Sequence, residues 1–290
     1  MTLSSTRAGS AGVLAVLRAT YTGMTTTDQK IASLILEEPE SILRAPVTDI
    51  AARSGSSQAA VSRFTARMGY RGLADFKIAL ALDVAASVDN GQNNAVDPAD
   101  SMSQIIRKIA ADNQQSIRDT LEVIGEQALD KAVLALRAAE RIVIVGVGQM
   151  GYLAADAALK FRQTGRTVVV SNDYVEQLAL SQAARARDAF LFISYEGSAP
   201  PILYNAEVAK ATGATVIGIC HAGRPALLEH IDHQLGVSAH GSDYRSAAQA
   251  AHVAIVTVID ALVVGMLTKD SDSLAAFGEF NALLRSEQLE

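Results

Sequence analysis

The sequence predicts an α/β protein in two parts: an all-helical N-terminal domain holding a helix-turn-helix, and a C-terminal domain with a parallel sheet flanked by helices. Three observations predict it. Residues 48–77, TDIAARSGSSQAAVSRFTARMGYRGLADFK, have the spacing of two short helices joined by a glycine turn and followed by a third. From Arg141 onward, continuous apolar runs alternate with helix-length segments, the pattern of strands covered on both faces. Between the two parts lies ASVDNGQNNAVDPADS, where Asn, Asp, Gly and Pro replace periodic apolar residues. The expected division is therefore a first domain at 1–85, a linker at 86–101 and a second domain at 102–290, a length that suits two domains of ordinary size.

At the N-terminus, MTLSSTRAGSAGVLAVLRATY has one short apolar patch broken by Arg18, too short for the apolar core of a signal peptide. Residues 26–36 then read as an amphipathic helix. In 48–77, a helix led by Ile50 and Ala51 ends at Gly55, where a glycine can take the left-handed conformation that closes a helix. Ser57 is suited to cap the next helix, its hydroxyl accepting from a first-turn amide. Val61, Phe64 and Met68 fall on one stripe of that helix. Its other face shows Ala59, Ser62, Arg63 and Ala66. Small residues there let a backbone approach a major groove, Arg63 can reach a guanine edge or a phosphate, and Arg67 and Arg71 lie near where a DNA backbone would run. The expected DNA contacts are Ser57, Gln58, Ala59, Ser62, Arg63, Arg67 and Arg71. A further helix is expected at 73–84. Residues 1–85 carry nine Lys and Arg against seven Asp and Glu, while the remainder carries 16 against 24. So small a basic excess leaves DNA affinity to local placement and to dimerisation.

After the linker, 103–123 and 127–139 read as two helices. Strand-like runs follow at IVIVG, TVVV, AFLFIS and ATVIGIC, separated by helices through Leu159, near 176–184 and through Ala211, and HQLGV forms a later strand. In parallel sheets ligands bind outside the carboxyl ends of the strands. Two loops occupy that edge. In Gly146-Val147-Gly148-Gln149-Met150-Gly151, missing side chains would let an anion reach amides at a helix N-terminus. The second loop is Ser194-Tyr195-Glu196-Gly197-Ser198-Ala199. The longest apolar stretch, AAHVAIVTVIDALVVGML, contains His252 and Asp260 and falls short of the ~20 apolar residues that span a bilayer. It is expected as a helix at 247–267 buried in a core or a subunit interface, with no membrane partner. The single cysteine, Cys220, sits in TVIGICH as a small core residue.

This order of parts resembles the RpiR family of transcriptional regulators. The resemblance rests on the Thr-x-x-Ile-Ala helix-turn-helix with SRF and GY/GxxxFK, then GVGxx and SYxG loops in an α/β domain, and Arg245 at the head of the last long helix. It covers nearly the whole chain and is most specific at 48–77. It implies that the second domain is a sugar isomerase (SIS) domain that senses a phosphosugar rather than converting it, in a cytoplasmic homodimer or homotetramer. The implied partners are a palindromic double-stranded DNA operator and a sugar, amino sugar or sugar phosphate, with carbohydrate metabolism genes as targets. The effector residues expected are Gly146, Gly148, Gln149, Met150, Ser194, Glu196, Gly197, Ser198 and Arg245.

Departures from the family pattern bear on the effector. Met150 stands where a serine is usual, and Glu196 and Ala199 replace two hydroxyl donors of the SxSGxT pattern. A carboxylate facing a dianion opposes it. Either the effector is unphosphorylated or bound in an altered pose, or Glu196 points to solvent and Ser198 supplies the lost donor.

Two other function classes use the same residues. GVGQMG also fits GxGxxG, with Asp173 near where a ribose-binding acid would lie, as in an NAD(H)-sensing repressor. That reading leaves the SYEGS loop and Arg245 unexplained, so no cofactor is expected. An SIS isomerase would need a base such as Glu196, Asp243, His240 or His252, but the sequence pairs none of them, and no catalysis is expected. His221, His230, His233 and His240 lack the Cys partners and spacing of a metal site, and none is expected.

Overall fold

The regular elements of the N-terminal part are all helical, as the sequence predicts. The structure, a computed structural model, describes residues 12–88, 96–223, 225–242 and 244–287. Its first elements are α1 (Val13–Thr20), a 3-10 turn (Tyr21–Gly23), α2 (Thr26–Glu37), α3 (Pro39–Arg44), α4 (Val47–Arg53), α5 (Gln58–Arg67) and α6 (Leu73–Val88). Leu17, Ile31, Ile35, Phe64 and Phe76 meet in one core. Gly55, with φ +59°, ends α4: its amide reaches the Ala52 carbonyl and the Ser56 amide reaches the Ala51 carbonyl, a Schellman closure. Ser57 caps α5, its hydroxyl accepting from the Ala60 amide at 3.1 Å.

α6 runs past the expected end at 84 to Val88, into the first residues of the expected linker. The reason lies in ALALDVAASV, rich in strong helix formers with neither Gly nor Pro to stop it. Residues 89–95 lie outside the described residues. The chain resumes into α7 (Met102–Val123), started by a Ser101–Gln104 capping box, and α8 (Glu126–Ala138).

The second domain follows as β1 (Arg141–Gly146), α9 (Gln149–Arg162), β2 (Val168–Ser171), α10 (Tyr174–Gln182), β3 (Asp188–Ile193), α11 (Pro200–Ala211), β4 (Thr215–His221), a 3-10 turn (Ala226–His230) and β5 (His233–Val237). All pairings are parallel, in the order β2-β1-β3-β4-β5. Alternate residues feed opposite faces: Ile142, Ile144 and Leu191 join a core with α8 and α9, whereas Val143, Phe190 and Phe192 pack against α11. Cys220 is buried in that second core and its thiol is pushed up to about 12 by burial, which makes it an inert core residue.

The expected last helix is broken at Ala251 into α12 (Ala247–Ala250) and α13 (His252–Lys269), and α14 (Ser271–Glu287) follows. α13 is long and apolar enough to cross a membrane by length and composition. Seven of its 18 residues, Ile255, Ile259 and Leu262 among them, are instead buried in this chain's core. Its apolar stripe is therefore covered within the chain, against α7, α8 and α9.

The two domains touch. α1 lies against α7, Arg18 pairs with the buried Asp119 at 2.7 Å, and Tyr21 meets His240 edge to face. A cavity of 1630 Å³ opens between the domains, lined on one side by Arg18 and Glu37 and on the other by Asp112, His240 and Arg245.

Candidate functional site

Two sites emerge from this arrangement. On the first domain, α5 places Val61 and Phe64 in the core and leaves Gln58, Ala59, Ser62, Arg63 and Ala66 exposed. This is the face the sequence assigns to DNA. The three arginines differ in how they are held. Among the described residues Arg63 makes no hydrogen bond or ion pair. Arg67 is bonded to the buried Asp28 of α2, and Arg71, almost fully exposed, pairs with Asp75 at 3.4 Å. That pairing holds the Asp75 carboxyl below the usual carboxylate range. Arg67 therefore fixes the end of α5 against α2, and its guanidinium is already engaged. Asp28 itself accepts from the Thr25 hydroxyl at 2.9 Å, so α5 is braced by a carboxylate that the sequence alone did not single out. The signal was present as Thr25 and Asp28 at capping spacing.

The second site lies at the carboxyl edge of the sheet. β1 leads left to β2 while β3 leads right to β4, so the chain reverses direction between β1 and β3. This is the switch point where ligands enter such sheets. Register pairs Gly146 with Ile193, which sets the 146–151 and 194–199 loops side by side. Gly146 has no room for a side chain: an added Cβ would meet the Met150 carbonyl oxygen at 2.5 Å. Gly148 has φ +55° and ψ −131° and hands the chain to α9, a backbone that L side chains rarely adopt. Among the described residues, the amides of Gly148 and Gln149 in one loop and of Gly197 and Ser198 in the other have no acceptor. Those of Gly148 and Gln149 stand at the N-terminus of α9, where an anion is favoured.

Several expected residues stand otherwise. Met150 is a correction: its side chain is buried in the core beside Ala154, and its amide is bonded to the Val147 carbonyl, so it offers nothing to a ligand. The apolar side chain simply follows the buried stripe of α9. Ser194 is buried and its amide is bonded to the Ile219 carbonyl, leaving its hydroxyl for the site. Glu196 and Ser198 are exposed and Gly197 is buried. Arg245 lines the cavity between the domains: its Nη2 donates to Asn113 on α7 at 3.0 Å and to the Gln249 carbonyl at 3.2 Å, and its Nη1 is buried without a partner among the described residues. Gln177, unnoticed in the sequence, is fully buried and donates to the Gly146 and Ser171 carbonyls at 3.0 and 2.8 Å. It ties the ends of β1 and β2 together beneath the first loop.

Residues of the competing readings are placed as follows. Asp173 caps α10, accepting from the Glu176 amide at 2.9 Å, so its carboxylate is engaged in helix capping. Asp243 lies outside the described residues. Glu196, His240 and His252 have no hydrogen bond to a second side chain among the described residues, the arrangement that orients a general base. The His252 ring nitrogen Nε2 is buried without a partner, and desolvation followed by the Arg245 charge pushes its pKa down. Among the described residues no three His, Cys, Asp or Glu side chains are grouped to hold a metal.

Comparison with known proteins agrees with both halves. A family model for a helix-turn-helix domain of the rpiR family matches residues 11–87, and one for the SIS domain matches residues 135–265. An uncharacterized HTH-type transcriptional regulator of Caldanaerobacter subterraneus subsp. tengcongensis is 31% identical over 92% of this chain and 94% of its own length. The structure of the Vibrio vulnificus NanR protein complexed with ManNAc-6P is similar with a TM-score of 0.60 at 22% identity, covering 94% of this chain and 98% of that one. The sugar isomerase domain of an RpiR transcription factor from Sphaerobacter thermophilus is similar with a TM-score of 0.54 at 17% identity, covering 62% of this chain and 99% of that one. The two folds, their order along the chain and a relative matched nearly end to end agree: the chain belongs to the rpiR family of HTH-type transcriptional regulators and carries a C-terminal SIS domain.

Proposed function

We propose that the chain regulates carbohydrate metabolism genes by binding DNA through α5, under the control of a sugar-phosphate-like effector held between the 146–151 and 194–199 loops. The observation that carries the effector reading is the set of amides without an acceptor among the described residues, Gly148 and Gln149 at the start of α9 and Gly197 and Ser198 in the loop after β3, on either side of the switch point. The hydroxyls of Ser194 and Ser198 complete the proposed donor set, and Gln149 is the proposed contact to the sugar. Backbone donors do not depend on the side chains lost at Met150 and Ala199. The exposed position of Glu196 lets water screen its charge from a bound dianion. A phosphorylated effector thus fits the loops better than the sequence alone suggests. The ManNAc-6P in the NanR complex is a phosphosugar ligand of a protein of the same fold.

The chain is proposed to act in the cytoplasm as a dimer or tetramer that sets two α5 helices on a palindromic operator. Exposed apolar residues such as Ile78 and Leu82 on α6 and Val264 on the outer side of α13 are the proposed candidates for subunit contact. Sensing rather than catalysis is proposed because Glu196, His240 and His252 have no orienting side-chain partner among the described residues. A thermal-shift screen against sugar phosphates, the same sugars unphosphorylated and NADH tests this reading. Stabilisation by a phosphosugar alone is expected. A response to NADH alone, or turnover of a phosphosugar, would overturn it.

A further inference from the structure

We infer that Tyr195 is a positioning residue that fastens the effector loop to the DNA-binding domain through residues 238–240. The inference rests on the effector reading above and concerns how that site is coupled. Tyr195 lies inside the second loop, one residue before Glu196. Unlike its neighbour it is buried, and its hydroxyl donates to the Ala239 carbonyl at 2.9 Å. Burial pushes the phenol pKa up, so it remains a donor at all physiological pH.

The segment that receives this bond grips the first domain in two ways. His240 presents its ring to Tyr21, with centroids 6.3 Å apart and planes at 87°. Tyr21 is in turn fixed to α2, its hydroxyl bonded to Ser33 at 2.6 Å and its carbonyl accepting from Gln29 at 3.1 Å. α2 carries Asp28, the carboxylate that holds Arg67 at the end of α5. On the other side of the same segment, Ser238 is locked to α7: its carbonyl accepts from Ser116 at 2.9 Å and its amide donates to Thr120 at 3.1 Å. Between those two hydroxyl residues α7 carries Asp119, the partner of Arg18 on α1. The links on the α7 side join buried or half-buried groups, whereas His240 and Arg67 are exposed, and both routes begin at the residues flanking Ala239, the one that Tyr195 holds. A ligand that resets the backbone of 196–198 acts on the residue beside it, and Tyr195 carries that displacement to the 238–240 segment. Coupling of this kind is established by energetics rather than by proximity, which sets the form of the test.

Amide hydrogen–deuterium exchange is measured on the full chain without ligand, comparing the native protein with Tyr195→Phe, which keeps the ring and removes the donor. Exchange at least about threefold faster is expected at residues 21–37 as well as at 238–242, with β2 and α9 unchanged as a control for global loosening. Changes confined to 194–199 and 238–242 would overturn the inference. His240→Ala, which leaves the loop bond in place, is expected to speed exchange at 21–37 and not at 194–199. No change at 21–37 in that variant would refute the coupling even if Tyr195→Phe failed to fold. The double variant should exchange at 21–37 no faster than the quicker single variant, whereas additive effects would mean two independent perturbations. A parallel sample with N-acetylmannosamine 6-phosphate reads protection at 146–151, so a failure of the effector reading shows there and the ligand-free comparison still decides the coupling.

Discussion

Arg63 and Arg67 stand one turn apart on α5 and are held differently. Arg63 is exposed with no partner among the described residues, whereas Arg67 is bonded to the buried Asp28. A bidentate base contact is worth about 1–3 kcal/mol, so Arg63→Ala should weaken operator binding roughly 5- to 150-fold and leave the melting temperature unchanged, as read by fluorescence anisotropy and calorimetry on one preparation. Unchanged affinity would remove α5 from the DNA interface. Asp28→Ala should act the other way round. Removing a charge-assisted bond typically costs about 1.5–3 kcal/mol, and exposure of Arg67 on its outer side places this pair at the low end. The expected loss of stability is about 1.5 kcal/mol in denaturant unfolding. A null effect there would mean that the Thr25 cap and the apolar core brace α2 against α5 by themselves.

At the level of elements, much of the fold was legible because its signals are local. Gly55 and Ser57 mark the turn and the cap of the helix-turn-helix within three residues, and the β1, β3 and β4 runs are too continuously apolar to be anything but covered strands. What the sequence concealed was decided by distant partners. The eight residues of α1 are too few to be stable alone; they are held by Asp83, which accepts from the Leu14 amide at 2.8 Å, and by Asp119 of α7, which pairs with Arg18. α14 has no sharp apolar stripe to announce it. At the proposed effector site, the sequence marked both loops but not the direction of their side chains: a motif position equates Met150 with a ligand-facing serine, while the helix turns it into the core. Tyr195 and Gln177 escaped notice because their partners are backbone carbonyls on other elements. The loop geometry makes a direct prediction. A Cβ at Gly146 would meet a backbone oxygen that cannot swing aside, so Gly146→Ala should displace the start of α9 and lower phosphosugar affinity at least about tenfold. Titration calorimetry reads this, and full affinity in the variant would show that the first loop is not part of the site.

For the molecule as a whole, the contact between domains contains groups that respond to pH. The walls of the cavity, followed by the charge of Arg18, push the His240 pKa below its ordinary 6.5, and His252 is lowered by desolvation and Arg245. The folded chain therefore binds fewer protons at these rings than the unfolded chain does, and their contribution is full above about pH 6.5 and is lost as pH falls through the lowered values. Melting temperature should drop between about pH 7.5 and about pH 5.5, and replacing both histidines with Gln should flatten that part of the profile. Asp83 and Asp112, raised by burial, work in the opposite sense at lower pH, which is why the comparison stays above that range. An unaltered profile in the double variant would place the pH response elsewhere.

In the proposed function, a ligand at the β1/β3 switch point controls what α5 does on DNA. Its most direct test is an equilibrium titration of the full chain against a fluorescent duplex carrying its selected binding sequence, with and without the phosphosugar that gives the largest thermal shift. Coupling between sites typically amounts to about 5- to 150-fold in affinity, and a change in Kd within that range, in either direction, is the predicted result. A phosphosugar that binds at saturation and leaves Kd for the duplex unchanged would contradict the account.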